Sequence, residues 1–309
     1  MGDIRYLGIG EETTVGTPVS ATDYIPIQSD RVTPDHRYLV MEDVSQRSYS
    51  RYAPGPFRNS GNIIMHLIPE GITKLFKWTL GDVSSSLVGT SKAYQHVFTE
   101  STPLKSFTAR IGANLVEREI AGCFVNSVEL AGSIDLAMAT FSIVGGEETK
   151  QSIGSPTWPT YIAPFAFHGG SVSIGGSDKT SQVESVRIRI NNNIPDRWTF
   201  GSRYETRSEV GLLVVDGELG LAFDDSDQYD AFLAGTEFAL QVKWEGATIE
   251  DTYKYTVQID TPKAVYQTDT VPHIDRREPI KITAPFRAYY KDDTDKTVKI
   301  TVINTEETV

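Results

Sequence analysis

The densest group of side chains able to do chemistry is Asp224-Asp225-Ser226-Asp227-Gln228-Tyr229-Asp230. Alternating carboxylates offer the hard oxygen ligands that Ca²⁺ takes. The run lacks the turn glycine and distal glutamate of an EF-hand loop, and a short helical pattern follows it. Acids placed there favour a helix N-terminus through capping and the helix dipole, so Asp225 or Asp227 is expected to cap. His36, His66, His96, His168 and His273 are far apart and form no local ligand pair, so no metal site is expected. Gly8-Ile9-Gly10 has neither a preceding strand nor the third glycine of a dinucleotide turn. No Walker loop and no Gly-x-Ser-x-Gly elbow occurs. Cys123, the only cysteine, lies in a strand-like stretch and reads as a small buried hydrophobe. The expectation is a protein without catalytic residues, cofactor-binding residues or a bound metal.

What remains chemically distinctive is arginine interleaved with aromatics. Arg47, Tyr49, Arg51, Tyr52, Phe57 and Arg58 fall within residues 38–60, a polar stretch broken by Pro54-Gly55-Pro56 and read as a long loop. Loops of that length in a compact domain are usually functional. Arginine and tyrosine are enriched where proteins meet, because they combine contact area with hydrogen bonding. The dipeptide returns as Arg203-Tyr204 in the second half. These eight residues are the candidate subunit interface.

Their recurrence belongs to a wider pattern. Pro34-Asp35-His36-Arg37 is echoed by Pro195-Asp196-Arg197, and residues 61–67 by residues 217–223. Leu80-Gly81 is echoed by Ala234-Gly235, and Ala139, Phe141 and Thr149 match Ala284, Phe286 and Thr294 without a gap. The shared order implies a tandem duplication, and two fused copies can fill adjacent places in a symmetric assembly. The expected division is 1–155, with an extended arm before Asp23 and the 38–60 loop, and 156–309, with a C-terminal arm. Gly154-Ser155-Pro156-Thr157-Trp158-Pro159 is the linker.

The elements are mostly strands. Residues 24–27, 63–68, 107–111, 123–130, 134–144, 170–176, 186–190, 238–244, 254–259, 280–290 and 298–303 have strand character, several with clear alternation. Ile72, Leu75, Phe76 and Leu80 have helical spacing before Gly81, and residues 227–234 form a second short helix before Gly235. The fold class is mainly β: two tandem β-sandwich or barrel modules, each with one short helix.

Lys and Arg number 29 against 41 Asp and Glu, a formal net charge of -12, and both halves are acidic. That balance disfavours gripping nucleic acid, which needs clustered cations. No apolar run approaches a membrane span, and the N-terminus lacks a secretory pattern, so folding in the cytosol is expected.

Taken in order, several segments resemble the tail tube (major tail) proteins of long-tailed bacteriophages. They are residues 8–18 with Tyr24-Ile25-Pro26-Ile27, residues 122–130, residues 165–174, and Ile188 through Asn193. Gly201-Ser202-Arg203-Tyr204, residues 229–235 and Pro285-Phe286-Arg287-Ala288-Tyr289 complete the set. The first half departs most, at Pro54-Gly55-Pro56. The resemblance implies a fold shared with the tube protein of type VI secretion. It also implies rings stacked into a hollow tube, with three two-module chains replacing six single modules. Adjoining modules would extend a continuous β-surface around the lumen, and long loops and arms would reach neighbouring rings. It further implies tape measure, tail terminator and distal tail partners, and passage of DNA without specific binding. The site would be the virion tail, after assembly in the host cytoplasm. The lumen-facing residues are not identified. The wall is expected to be acidic or neutral, with acids at repeat-related strands and arginines drawn into subunit contacts. A virion-associated two-domain β-sandwich adhesin or carbohydrate-binding module is the alternative, and it would need an exposed aromatic platform.

Overall fold

A computed structural model describes residues 5–161, 163–205, 209–268, 270–272 and 280–309. The first four residues of the expected arm, and His273, lie outside the described residues. The first half runs β1 (Arg5–Glu11), β2 (Asp23–Ile25), β3 (Ser29–Asp30), β4 (Thr33–Met41), β5 (Arg51–His66) and α1 (Thr73–Leu80). It continues with β6 (Gly81–Leu87), β7 (Tyr94–Glu100), β8 (Phe107–Ala113), β9 (Val116–Gly132), β10 (Met138–Gly145) and β11 (Glu148–Gln151). A 3-10 turn at Phe167–Gly169 leads into β12 (Gly170–Ile174), β13 (Ser177–Asp178), β14 (Val183–Asn191), β15 (Val214–Ala222) and α2 (Asp227–Ala234). The second half ends with β16 (Phe238–Glu250), β17 (Tyr253–Tyr266), β18 (Lys281–Ala288) and β19 (Lys299–Asn304). The chain is mainly β, with antiparallel pairing throughout the named strands.

Hydrogen-bonded neighbours in the first half follow the order β4-β5-β10-β9-β8-β1-β2. In the second half they follow β14-β15-β18-β17-β16-β12-β13. The two orders correspond strand for strand, and β11 sits on β9 as β19 sits on β17. Among the described residues, the β6–β7 hairpin has no counterpart in the second half. The halves are joined by pairing: β14 adds to β9 with Ile188 opposite Leu130, and β19 adds to β7. Seven strands, β4-β5-β10-β9-β14-β15-β18, thereby form one antiparallel surface through both halves.

Alternation explains how this surface is set. Val186, Ile188 and Ile190 are buried, while Arg187 and Arg189 between them are exposed, because successive side chains leave a strand on opposite faces. The 17-residue β9 serves two sheets by bending at Gly122 (φ 66°) and at an irregularity beside Asn126. Buried apolar side chains from both halves make one contiguous cluster, from Leu7 and Phe76 to Val257 and Phe286. Strand pairing across the boundary joins the apolar residues of the two halves in this cluster.

Helix α1 packs Phe76 near Phe98 and Phe141, with ring centroids 6.0 and 5.9 Å away, and Trp78 stacks on Phe107 at 4.5 Å. Its N-terminus has no local side-chain cap. The Glu306 carboxylate supplies acceptors from the far end of the chain, taking Gly71 N–H (2.8 Å) and Thr73 Oγ1 (2.7 Å). Lys77 Nζ then donates to the Val309 carbonyl at 3.1 Å, so the last residues lie along the helix instead of forming a free arm.

Three expectations need correction. Residues 38–60 are no loop: β4 and β5 form a hairpin with only residues 42–50 between them. Pro54 and Pro56 are tolerated because β5 meets β10 only from Asn59 onward, so no ladder on that side is interrupted. The register also shifts between His36 and Tyr38, which places Gly55-Pro56 in a bulge. Second, residues 5–11 are not an arm, since β1 is buried between β2 and β8. Third, β10 starts at Met138, and Ile134 is exposed.

Candidate assembly surface

The hairpin projects from the fold. Every residue of β4 is exposed, as are residues 51–54 of β5. Arg47, Tyr49, Arg51 and Tyr52 lie on this projection, free of the core. Beside them are Tyr38 and also Leu39, Val40, Met41 and Val44, four apolar residues that sequence reasoning passed over. Their signal was present as the uninterrupted run Tyr38-Leu39-Val40-Met41, hidden by reading the region as a polar loop. Exposed apolar groups scattered singly need no explanation, whereas a contiguous patch marks a contact surface. The turn is held by Asp43, which accepts from Ser45 N (3.0 Å) and Ser50 Oγ (2.7 Å). The Ser45 hydroxyl, which also donates to Asp43, and then the Ser50 hydroxyl hold its carboxyl below the usual range.

The other four candidates meet at the hairpin base. Phe57 is buried, with ring contacts to His36 (4.5 Å) and Tyr204 (5.6 Å) and the Arg203 guanidinium 5.8 Å from its centroid. Phe57 N–H donates to the Arg203 carbonyl at 2.7 Å. Arg58 pairs with Asp196 and lies 3.7 Å from Glu205. Arg37 lies 5.6 Å from the Trp198 ring. Phe57 and Arg58 thus meet Arg203, Tyr204 and Asp196 in one contact that fixes the hairpin base to residues 195–205. Phe200 in that segment is fully exposed.

A second surface is the solvent-facing side of the seven-strand sheet. Register places Glu129, Arg189, Asp216 and Arg287 in one cross-strand row on β9, β14, β15 and β18. Opposite charges facing across strands stabilise a sheet, each pair by about 0.2–1 kcal/mol. In the next row Arg187 donates to Glu218 at 3.0 Å, and at the far end of β18 Lys281 reaches Glu184 at 2.5 Å. Each arginine in the first row has an acid on at least one flanking strand.

Acids below the surface are engaged in structural contacts. Glu12, buried, accepts from Gly16 N, Ser106 Oγ, Thr108 Oγ1 and Gly122 N at 2.8–2.9 Å. Arg110 pairs with buried Glu117 and Glu119. Tyr6 donates to Glu117 at 2.5 Å, and burial, aided by that bond, pushes its hydroxyl up to about 12. Burial pushes the Cys123 thiol well above its ordinary value, which disfavours the reactive thiolate. Ser226 stands at the N-cap of α2 and makes no side-chain cap bond, but Asp225 Oδ1, one residue earlier, accepts from the first helical N–H, that of Asp227, at 3.1 Å. Both acids accept from Lys179 Nζ at 2.7 Å, a partner too distant in sequence to be foreseen. Among the described residues no three His, Cys, Asp or Glu side chains group as a metal site. No helix is long and apolar enough to cross a membrane.

Paired acids and an exposed apolar hairpin make a β-protein whose available surface suits association. The family model for phage tail tube protein matches residues 2–288, and the chain belongs to that family. A comparison with individually curated proteins gives no match. The chain is therefore a structural component of a virion tail, of a family whose members self-assemble into a tube and associate with other tail proteins.

Proposed function

We propose that three chains close a ring of six quasi-equivalent modules, residues 1–155 and 156–309 of each, and that rings stack into the tube through which DNA is ejected. The observation carrying this reading is the repeated neighbour order, with the halves joined through β9 and β14. A chain that already contains two adjacent modules needs three copies to reach six. The projecting hairpin is the contact to the next ring: Arg47, Tyr49, Arg51 and Tyr52 touch the neighbour, while Phe57, Arg58, Arg203 and Tyr204 hold the hairpin in position. Tape measure, tail terminator and distal tail proteins bind the finished tube, which assembles in the host cytoplasm.

The charged face of the seven-strand sheet is the lumen wall in this reading. Its strands β14, β15 and β18, with Glu129 of β9, carry Arg187, Arg189, Lys281 and Arg287 against Glu129, Glu184, Asp216 and Glu218. A balanced wall does not hold the DNA backbone, because acids on flanking strands compete with phosphate for each arginine. The charges do not recur as the duplication suggests: Ser60 and Asn62 stand where Asp216 and Glu218 stand. An adhesin would require coplanar aromatics; exposed Tyr38 and Tyr52 are 84° apart in plane, which disfavours stacking on a sugar. Electron microscopy of the purified protein tests the reading. Rings and tubes are expected, and a monomeric particle at high concentration would contradict it.

A further inference from the structure

The pairing that joins the two halves has an unfilled equivalent. Strand β9 is flanked by β8 and β11 along its first part, then by β10, and its other edge from Ser127 to Gly132 receives β14. Strand β17 repeats this sequence of partners with β16, β19 and β18. Beyond Ala264, opposite Phe238, the edge of residues 265–268 away from β18 pairs with no strand among the described residues. The counterpart of β14 in the first half is β4, whose edge away from β5 is likewise unpaired among the described residues.

Both edges present their polar groups in matching phase. Arg31 N–H donates to Asn62 O (2.9 Å), so Arg31, Thr33 and Asp35 face β5, and Val32 and Pro34 turn their carbonyls outward, the Val32 N–H being held by Asp30 Oδ1 at 2.8 Å. Gln267 N–H donates to Pro285 O (2.7 Å), so Val265 and Gln267 face β18, and Tyr266 and Thr268 turn outward. The internal junction also fixes the register. Ile188 lies between Gly217 and Leu130, and Leu130 lies opposite Ala139. Gly61 matches Gly217 and sits beside Val32, while Ala139 matches Ala284, two residues along β18 from Phe286, which faces Tyr266.

From this geometry we infer that residues 32–35 of one chain add as an antiparallel strand to residues 265–268 of the next, with Val32 opposite Thr268, Thr33 opposite Gln267, Pro34 opposite Tyr266 and Asp35 opposite Val265. The partner is a second copy of this chain, and the inference rests on the ring proposed above. Pro34 contributes its carbonyl but no N–H, and Val32 N–H already donates to Asp30 Oδ1 at 2.8 Å, so the junction rests on the Val32 and Pro34 carbonyls accepting from Thr268 and Tyr266 and has two bonds fewer than its internal template. That deficit also blunts the edge against indiscriminate strand addition before assembly. In the ring, the row from Glu129 to Arg287 runs on through Val265 to Asp35 of the neighbour.

Thr33–Gln267 and Asp35–Val265 are non-hydrogen-bonded pairs, whose Cα atoms approach to about 4.5 Å, within disulfide range. Paired variants Thr33→Cys/Gln267→Cys and Asp35→Cys/Val265→Cys should cross-link in assembled rings under mild oxidation, and extensive reaction should yield a covalent three-chain species. The shifted pair Thr33→Cys/Val265→Cys, with Cα atoms about 7–8 Å apart, should cross-link ~tenfold less. The parent, whose Cys123 is buried, serves as background. Intact rings on grids without cross-links for either in-register pair, or a preference for the shifted pair, would overturn the register and leave the ring standing. Absence of rings from the parent would overturn both.

Discussion

Replacing Phe57 by alanine tests whether the hairpin is held as a unit that can be loosened without unfolding the protein. Phe57 is 4% exposed, and it belongs to neither the main core cluster nor the smaller one beside it. Removing a buried Phe side chain costs about 3–5 kcal/mol in a closed core. At this base, open to solvent along β4, the lower end applies: about 3 kcal/mol, including two ring contacts worth roughly 0.5–1.5 kcal/mol each. Alanine keeps the backbone bond to Arg203, so register survives and the loss falls on hairpin docking. At about 1.4 kcal/mol per tenfold, opening of the hairpin should increase roughly 100-fold. Hydrogen exchange reads this directly. Amides of residues 38–57 and 198–204 should lose protection over exchange times at which Val128 and Val257 stay protected, and tube formation should weaken while the thermal midpoint falls by only about 5 °C. Equal loss of protection in β9 and β17 would refute a local role, and unchanged exchange at the hairpin would refute the contact altogether.

Shortening residues 38–57 to the length of the 195–205 segment should leave a folded ring that does not polymerise; normal tubes by electron microscopy would count against the hairpin. Glu306 has its carboxyl raised above 4.5 mainly by burial, with Glu70 adding repulsion. The folded state therefore binds this proton more tightly than the unfolded state, and its contribution to stability falls as pH rises from 4.5 through the raised value. Denaturation midpoints should accordingly decline more steeply over that window in the parent than in Glu306→Gln, and equal slopes would contradict the assignment. Asp216→Lys with Glu218→Lys should assemble normally yet retard DNA release near 50 mM salt, with recovery by about 200 mM as counterion release loses its force. Unchanged release at low salt would place that face outside the lumen.

Much of the fold was legible where local pattern and tertiary context agree. Helical spacing at Ile72, Leu75, Phe76 and Leu80 marked α1 to within a residue, and alternation through Val186, Ile188 and Ile190 marked β14. Disagreement came where a long-range contact supplied what sequence could not display. Gly8 and Gly10 read as part of an extended arm, but they are small because β1 runs close to the segment after it. A Cβ on Gly8 would lie 2.9 Å from that of Ala21, and one on Gly10 would lie 2.5 Å from the Ser20 carbonyl. Proline and glycine at 54–56 signalled a loop because their tolerance on an open edge depends on which strand is absent beside them. The Arg-Tyr residues were chosen by type alone. Sequence did not say that Phe57, Arg58, Arg203 and Tyr204 would converge, since their contact spans both halves.

Native mass spectrometry of the smallest ring released from dissociating tubes tests the duplicated-module assembly most directly. Three chains of 34.2 kDa give about 103 kDa, and this is the expected mass. A ring of six chains, near 205 kDa, would mean that each chain contributes one structural place instead of two, and the three-chain assembly would be wrong.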